Sequence, residues 1–155
     1  MAKPEPGSSH HHKPRFEYFD HAADVGLRGF GATPERAFEA AAAALFGLMD
    51  ESLENVREVQ EEEIRSEAPD LAELLVAFLN ELISLSDSRR LIFRRFRVEI
   101  DTPESSRLRL TARAWGERYE PARHRSIVEP KGATYTALRV ASEADGWIAQ
   151  CVVDV

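Results

Sequence analysis

Apolar and polar positions along the 155-residue chain follow two periods, and each switch between them marks a new element. From Phe16 the pattern is extended: Val25, Leu27 and Gly29 alternate with Gly26, Arg28 and Phe30, a strand approached through Asp20 to Asp24. Gly31-Ala32-Thr33-Pro34 breaks that run and starts a helix. Thr33 suits capping of the free amides, Pro34 suits the first helical position, and Glu35 complements the helix dipole. Phe38, Ala41, Leu45 and Leu48 then recur at helical spacing, so the first helix is expected roughly from Pro34 to Met49. Its alanine-rich middle, Ala40 to Ala44, suits close approach to a sheet or another helix.

Between Glu51 and Glu67, Val56, Val59 and Ile64 stand among acidic positions, which reads as a short strand with its connections. Asp70 and Glu73 have the spacing of a capping box. They precede a broad apolar face of Leu71, Leu74, Leu75, Phe78, Leu79, Leu82 and Ile83, a second helix that Ser86-Asp87-Ser88 should stop. Phe96, Val98 and Ile100, and then Leu108, Leu110, Ala112 and Ala114, alternate with polar residues as two half-buried strands. Thr134 to Ser142 and Trp147 to Val155 form a further pair, with Ala144-Asp145-Gly146 placed to turn a hairpin. Two helices packed with largely antiparallel sheets make this an α+β fold.

Length allows one such domain, expected over residues 15–155. Residues 1–14, rich in Pro, Gly, Ser and His, cannot repay ordering entropy and are expected to form a mobile tail, so His10, His11 and His12 supply no preorganised metal site. Apolar residues at 43% and charged residues at 30% are the balance of a soluble globular protein. No apolar run approaches the ~18 residues of a membrane span and no leader opens the chain, so no membrane contact and a cytoplasmic location are expected. A net charge of −7 lacks the basic footprint of a nucleic-acid binder, which makes any RNA contact indirect. The single cysteine, Cys151, lies in an apolar run and reads as a buried thiol.

Two acidic features carry candidate chemistry. The segment Phe16 to Gly26 places Asp20, His21 and Asp24 where the chain enters a strand, and oxygen ligands of this kind suit hard cations. Strand parity puts Asp20, Asp24 and Arg28 on one side and His21 on the other, so the groups converge only through a turn or bulge. The alternative is structural, with Asp24 holding a turn and His21 hydrogen-bonded. Asp154 interrupts an otherwise apolar strand on the face of Ile148 and Val152 and needs a cation, an arginine or amide donors unless it lies exposed at the chain end; Val155 adds main-chain oxygen beside it. Glu117, His124, Lys131 and Tyr135 are scattered acid–base candidates that read better as structural or solvent-facing. Phosphate loops, metalloprotease helices and nucleophile elbows are missing from the sequence. The basic run Arg89 to Arg97 reads as a strand with Phe93 and Phe96 in the core, ahead of a phosphate-binding surface.

Read in order, several segments resemble the archease family. They are Phe19-Asp20-His21-Ala22-Ala23-Asp24-Val25-Gly26, Thr33 to Ala40 in the first helix, the leucine-rich second helix, Ala114-Trp115-Gly116-Glu117, His124, Lys131 to Tyr135, and Trp147 to Val155. The resemblance runs from Phe16 to Val155. It implies an archease-like fold and a non-catalytic cofactor of an RtcB-type RNA ligase, which joins 3′-phosphate or 2′,3′-cyclic phosphate ends to 5′-hydroxyl ends. Such a protein speeds guanylylation of the ligase and permits multiple turnover in tRNA splicing or RNA repair, while the ligase uses the GTP and manganese. The resemblance places a divalent metal, calcium first with magnesium or manganese as alternatives, on Asp24, Asp154 and the main-chain oxygen of Val155. It assigns ligase activation to Lys131 and leaves Asp20 and His21 as residues behind the metal ligands. Ala22 in place of a usual threonine, Gly132 within a usual Val-Lys-Ala run and Thr136 in place of a common histidine depart from the family pattern. Competing readings are a chaperone-like binding module for an RNA-modifying enzyme and a metal-dependent phosphate-ester hydrolase using Asp24, Asp154 and His21.

Overall fold

A computed structural model describes residues 13–103 and 106–155; apart from Lys13 and Pro14, the expected tail lies outside the described residues. The chain from β1 (Arg15–His21) to β2 (Asp24–Gly31) turns through Ala22 and Ala23, with His21 opposite Asp24 and Ala22 at φ 54. One expected strand is therefore a hairpin. Helix α1 (Pro34–Gly47) follows, and the Thr33 hydroxyl accepts the Arg36 amide at 3.2 Å as its cap. A 3-10 turn at Leu53–Asn55 leads to β3 (Gln60–Ala68), then α2 (Leu71–Arg89), β4 (Leu91–Asp101) and β5 (Leu108–Arg118). The chain ends with β6 (Gly132–Ala133), β7 (Arg139–Glu143) and β8 (Gly146–Asp154).

All pairings are antiparallel, and they form two sheets. In the first, the order is β1-β2-β8-β6, with β7 also pairing β8; in the second it is β3-β5-β4. Helix α1 packs between them. From Ala37 to Phe46 every residue except Glu39 is buried, so the second side of the helix, which the spacing of Phe38, Ala41 and Leu45 leaves open, is covered too. Gly29 of β2 permits the approach, because a Cβ there would stand 2.4 Å from the Ala41 nitrogen. On the other side Phe46 meets Phe93 edge-on at 5.4 Å and stacks on Phe96 at 5.6 Å. Both phenylalanines are thus core residues. The arginines around them form ion pairs, Arg94 and Arg95 with Glu58 and Arg89 with Glu62.

Several boundaries differ from the pattern. Of Val56, Val59 and Ile64, only Ile64 lies in β3; the strand's other inward residues are Ser66 and Ala68, which carry little hydrophobic signal. Helix α2 is capped by Asp70, whose carboxylate accepts the Glu73 amide at 2.8 Å, but it runs through Ser86-Asp87-Ser88. Ser86 is buried there and donates to the Leu91 carbonyl, so it serves packing instead of termination. The helix ends at Arg90, held at φ 54. The strand expected from Thr134 to Ser142 begins only at Arg139; ahead of it the Thr134 hydroxyl donates to the Val152 carbonyl at 2.8 Å and accepts the Thr136 amide at 3.2 Å. That local bonding, with Ala137 at φ 53, bends the chain between β6 and β7, where Thr134 and Thr136 keep main-chain bonds to Val152.

Arg90 is exposed and holds the left-handed conformation that favours glycine. Arg90→Gly is expected to raise stability by about 1 kcal/mol, read as a higher denaturation midpoint with an unchanged denaturant slope.

Candidate functional site

The register of β2 against β8 decides what the two acidic features become. Val25 faces Val153, so Asp24 and Asp154 occupy the outermost positions of adjacent strands. The Val155 amide donates to Asp24 Oδ1 at 3.3 Å, tying the two strand ends together. On the far side of β8, Gly132 pairs with Asp154 and the Lys131 amide donates to the Asp154 carbonyl at 2.8 Å. Asp24, Asp154, Val155 and Lys131 therefore meet at one end of the first sheet, although 131 positions separate Asp24 from Val155.

Among the described residues, no ion pair engages Asp24, Asp154 or Lys131. Like charges on neighbouring strands are unfavourable without a counter-charge. The donors offered are carboxylate and main-chain oxygens, which fit a hard divalent cation. His21 lies opposite Asp24, whereas Asp20 lies opposite Val25 and so belongs to the other face of the hairpin. The turn thus associates the imidazole with Asp24, the reverse of single-strand parity. Among the described residues no group of three His, Cys, Asp or Glu side chains converges, so the set rests on two carboxylates and main-chain oxygen.

Glu117 and His124, separate acid–base candidates in the sequence, form a buried pair. His124 Nε2 lies 3.0 Å from Glu117 Oε2, while His124 Nδ1 accepts the Glu120 amide at 2.8 Å. The imidazole therefore presents its proton to Glu117 and has no free lone pair for base chemistry. Glu117 also accepts the Arg57 amide at 2.9 Å and the Arg123 guanidinium. Burial pushes its carboxyl up, but the bonds from Arg57, His124 and Arg123 outweigh that and hold it below the usual range. The pair anchors the loop from Tyr119 to Lys131. That loop is also tied by the Ile127 and Val128 amides to the Leu48 carbonyl, at 2.9 and 3.1 Å. Tyr135 stands 65% exposed beyond it. Burial pushes the Cys151 thiol up to about 12, which leaves it protonated and unreactive.

A cleft of about 690 Å³ opens beside this loop, with Leu45, Met49, Ile83 and Leu91 along its apolar wall and Asn80 and Lys131 among its lining. Asn80 escaped the sequence reading. Its one signal is an amide side chain between Leu79 and Leu82 on an otherwise apolar helix face.

Residues 16–155 match the model of the archease protein family (MTH1598/TM1083). The chain belongs to the archease family. It is 40% identical over 145 residues to the protein archease of Pyrococcus abyssi, covering 91% of this chain and 99% of the relative. The protein archease of Thermococcus gammatolerans is 42% identical over 143 residues, again 91% of this chain and 99% of that one. The solution structure of Methanobacterium thermoautotrophicum protein 1598 superposes with a TM-score of 0.80 at 31% identity, over 90% of this chain and 98% of that chain. The archease fold, two helices among antiparallel sheets, is thus the fold of this chain. No described helix is long and apolar enough to cross a membrane.

Glu117 gives stability above the ordinary glutamate range near ~4.3 and loses it as pH falls through its depressed folded value. Glu117→Gln is expected to destabilise the fold by roughly 1–2 kcal/mol at neutral pH. The gap from wild type should close progressively below about pH 4 in denaturation curves taken across pH; a gap independent of pH would contradict the charge-assisted network.

Proposed function

We propose that this member of the family is a non-catalytic activator of an RtcB-type 3′-phosphate RNA ligase, promoting ligase guanylylation and multiple turnover in tRNA splicing or RNA repair within the cytoplasm. The observation that supports this reading is the meeting of Asp24, Asp154, Val155 and Lys131 at one end of the first sheet, with no ion pair to either carboxylate or to the lysine among the described residues. A lysine held by its main chain keeps an exposed ammonium available to a partner's carboxylate or phosphate.

The Asp24 and Asp154 carboxylates and the Val155 main-chain oxygen would hold a divalent cation, calcium foremost. When bound, that cation supplies a counter-charge to the paired strand ends. The chain's own residues do the remaining work: β2 and β8 position the carboxylates, the Val155 amide orients Asp24, and the Asp154 carbonyl fixes the Lys131 backbone. With a net charge of −7, the protein meets RNA through the ligase and not directly.

Ligation of 3′-phosphate RNA by the cognate ligase, with substrate in excess, tests the reading. Wild-type protein should raise turnover. Asp24→Ala should abolish that stimulation and weaken calcium binding roughly tenfold or more while the fold persists; Lys131→Ala should impair stimulation with calcium binding retained. An active ligase indifferent to the wild-type protein would move the reading to a chaperone-like binding module. Phosphate release without any ligase would instead support the hydrolase.

A further inference from the structure

Strand β6 is only two residues long, and its outer edge is closed by a side chain. Ala133 pairs with Val153 of β8. Its own amide donates to Asn80 Oδ1 at 2.8 Å, and its carbonyl accepts from Asn80 Nδ2 at 3.2 Å. The two bonds fix the orientation of the carboxamide, because the amide needs an acceptor and the carbonyl a donor. Asn80 thereby acts as a one-residue neighbouring strand, supplied by α2. Two positions before Ala133, the Lys131 amide is held by the Asp154 carbonyl at 2.8 Å.

We infer that Asn80 is a positioning residue that sets the Lys131 backbone beside the Asp24–Asp154 end through its paired hydrogen bonds to Ala133. The functional half of this inference rests on the ligase-activator reading; the positioning half does not. Main-chain bonds of Lys131, Thr134 and Thr136 hold one edge of this segment on β8, and the carboxamide fixes the opposite edge. Aspartate cannot substitute, since its carboxylate would keep the bond from the Ala133 amide but face the Ala133 carbonyl with a second acceptor. Gly132 plays no part in the clamp: a Cβ there would stand 3.7 Å from Asn80 Oδ1, an ordinary contact.

The first measurement is amide hydrogen exchange on the isolated full chain. Asn80→Ala and Asn80→Leu, which remove both bonds, should each speed exchange at the Ala133 and Lys131 amides, on the order of tenfold for Ala133 in the alanine variant, as loss of an ordinary hydrogen-bond pair implies. Amides of β3 and β5 should be unaffected, and Gly132→Ala should behave as wild type. Unchanged exchange at Lys131 in a folded Asn80→Ala protein would overturn the inference, and if that variant does not fold, Asn80→Leu decides it on the same readout. The second measurement is ligase stimulation, taken well below the melting temperature of each variant, for Asn80→Ala, Lys131→Ala and the double variant. Asn80→Ala should lower stimulation several-fold, and the double variant should match Lys131→Ala alone. Losses that multiply would show Asn80 acting independently of Lys131 and would overturn the functional half. Failure of wild-type protein to stimulate would defeat the activator reading and with it the functional half, while the exchange result would still decide the clamp.

Discussion

Burial of α1 on both sides is the constraint around which the two sheets are arranged, since a helix that is apolar all round is stable only in an interior. Its alanines lie against β2, where Gly29 removes the one atom that would keep the backbones apart. Its Phe46 fills the opposite side against Phe93 and Phe96. Neither sheet can exclude water from its inner face without this helix, and larger side chains in place of the alanines would force the sheet outward. Glu39 is the single polar residue in the enclosed stretch, and it serves the same boundary. Its carboxylate accepts the Val98 amide at 2.8 Å while Arg36 donates to the Val98 carbonyl at 3.3 Å. Burial pushes the Glu39 carboxyl up, opposed by the Val98 bond and by Arg36 and Arg97. The pair satisfies the free edge of β4 and denies it to another strand.

The helices were legible because their signals are local: the Thr33-Pro34 start, the Asp70 cap and the leucine periodicity of α2 each act within a few residues. The first hairpin was less so. Its turn uses Ala22 and Ala23, neither of them a turn residue by composition, and the strain of Ala22 at φ 54 leaves no mark in the sequence. Strand β3 was blurred for the opposite reason, since its inward positions include Ser66 and Ala68 and its other positions are mostly charged. Periodicity reports what a face is made of and fails where the buried face is small or polar.

At the candidate site, composition named the acidic residues and topology joined them. Asp24 and Asp154 are oddities in separate segments, and only family resemblance proposed their meeting before the β2–β8 register placed them on adjacent strand ends. Main-chain bonds escape any reading of side-chain types, which is why the attachment of Lys131 to the Asp154 carbonyl could not be anticipated. Glu117 and His124 illustrate the converse. Their residue types suggest proton transfer, yet the bond partner of each nitrogen turns the pair into a fastening for a long loop.

The pairing of β2 with β8 also bears on how the protein folds. A contact such as that of Val155 with Asp24, 131 positions apart, can form only after a very large loop is closed, and topologies dominated by such contacts fold slowly. Hairpins such as β1–β2 and β7–β8 need no such closure. A partly folded chain can hold local hairpins and helices yet lack the acidic end entirely. The site therefore reports completion of the fold, and no fragment lacking β2 or β8 reproduces it.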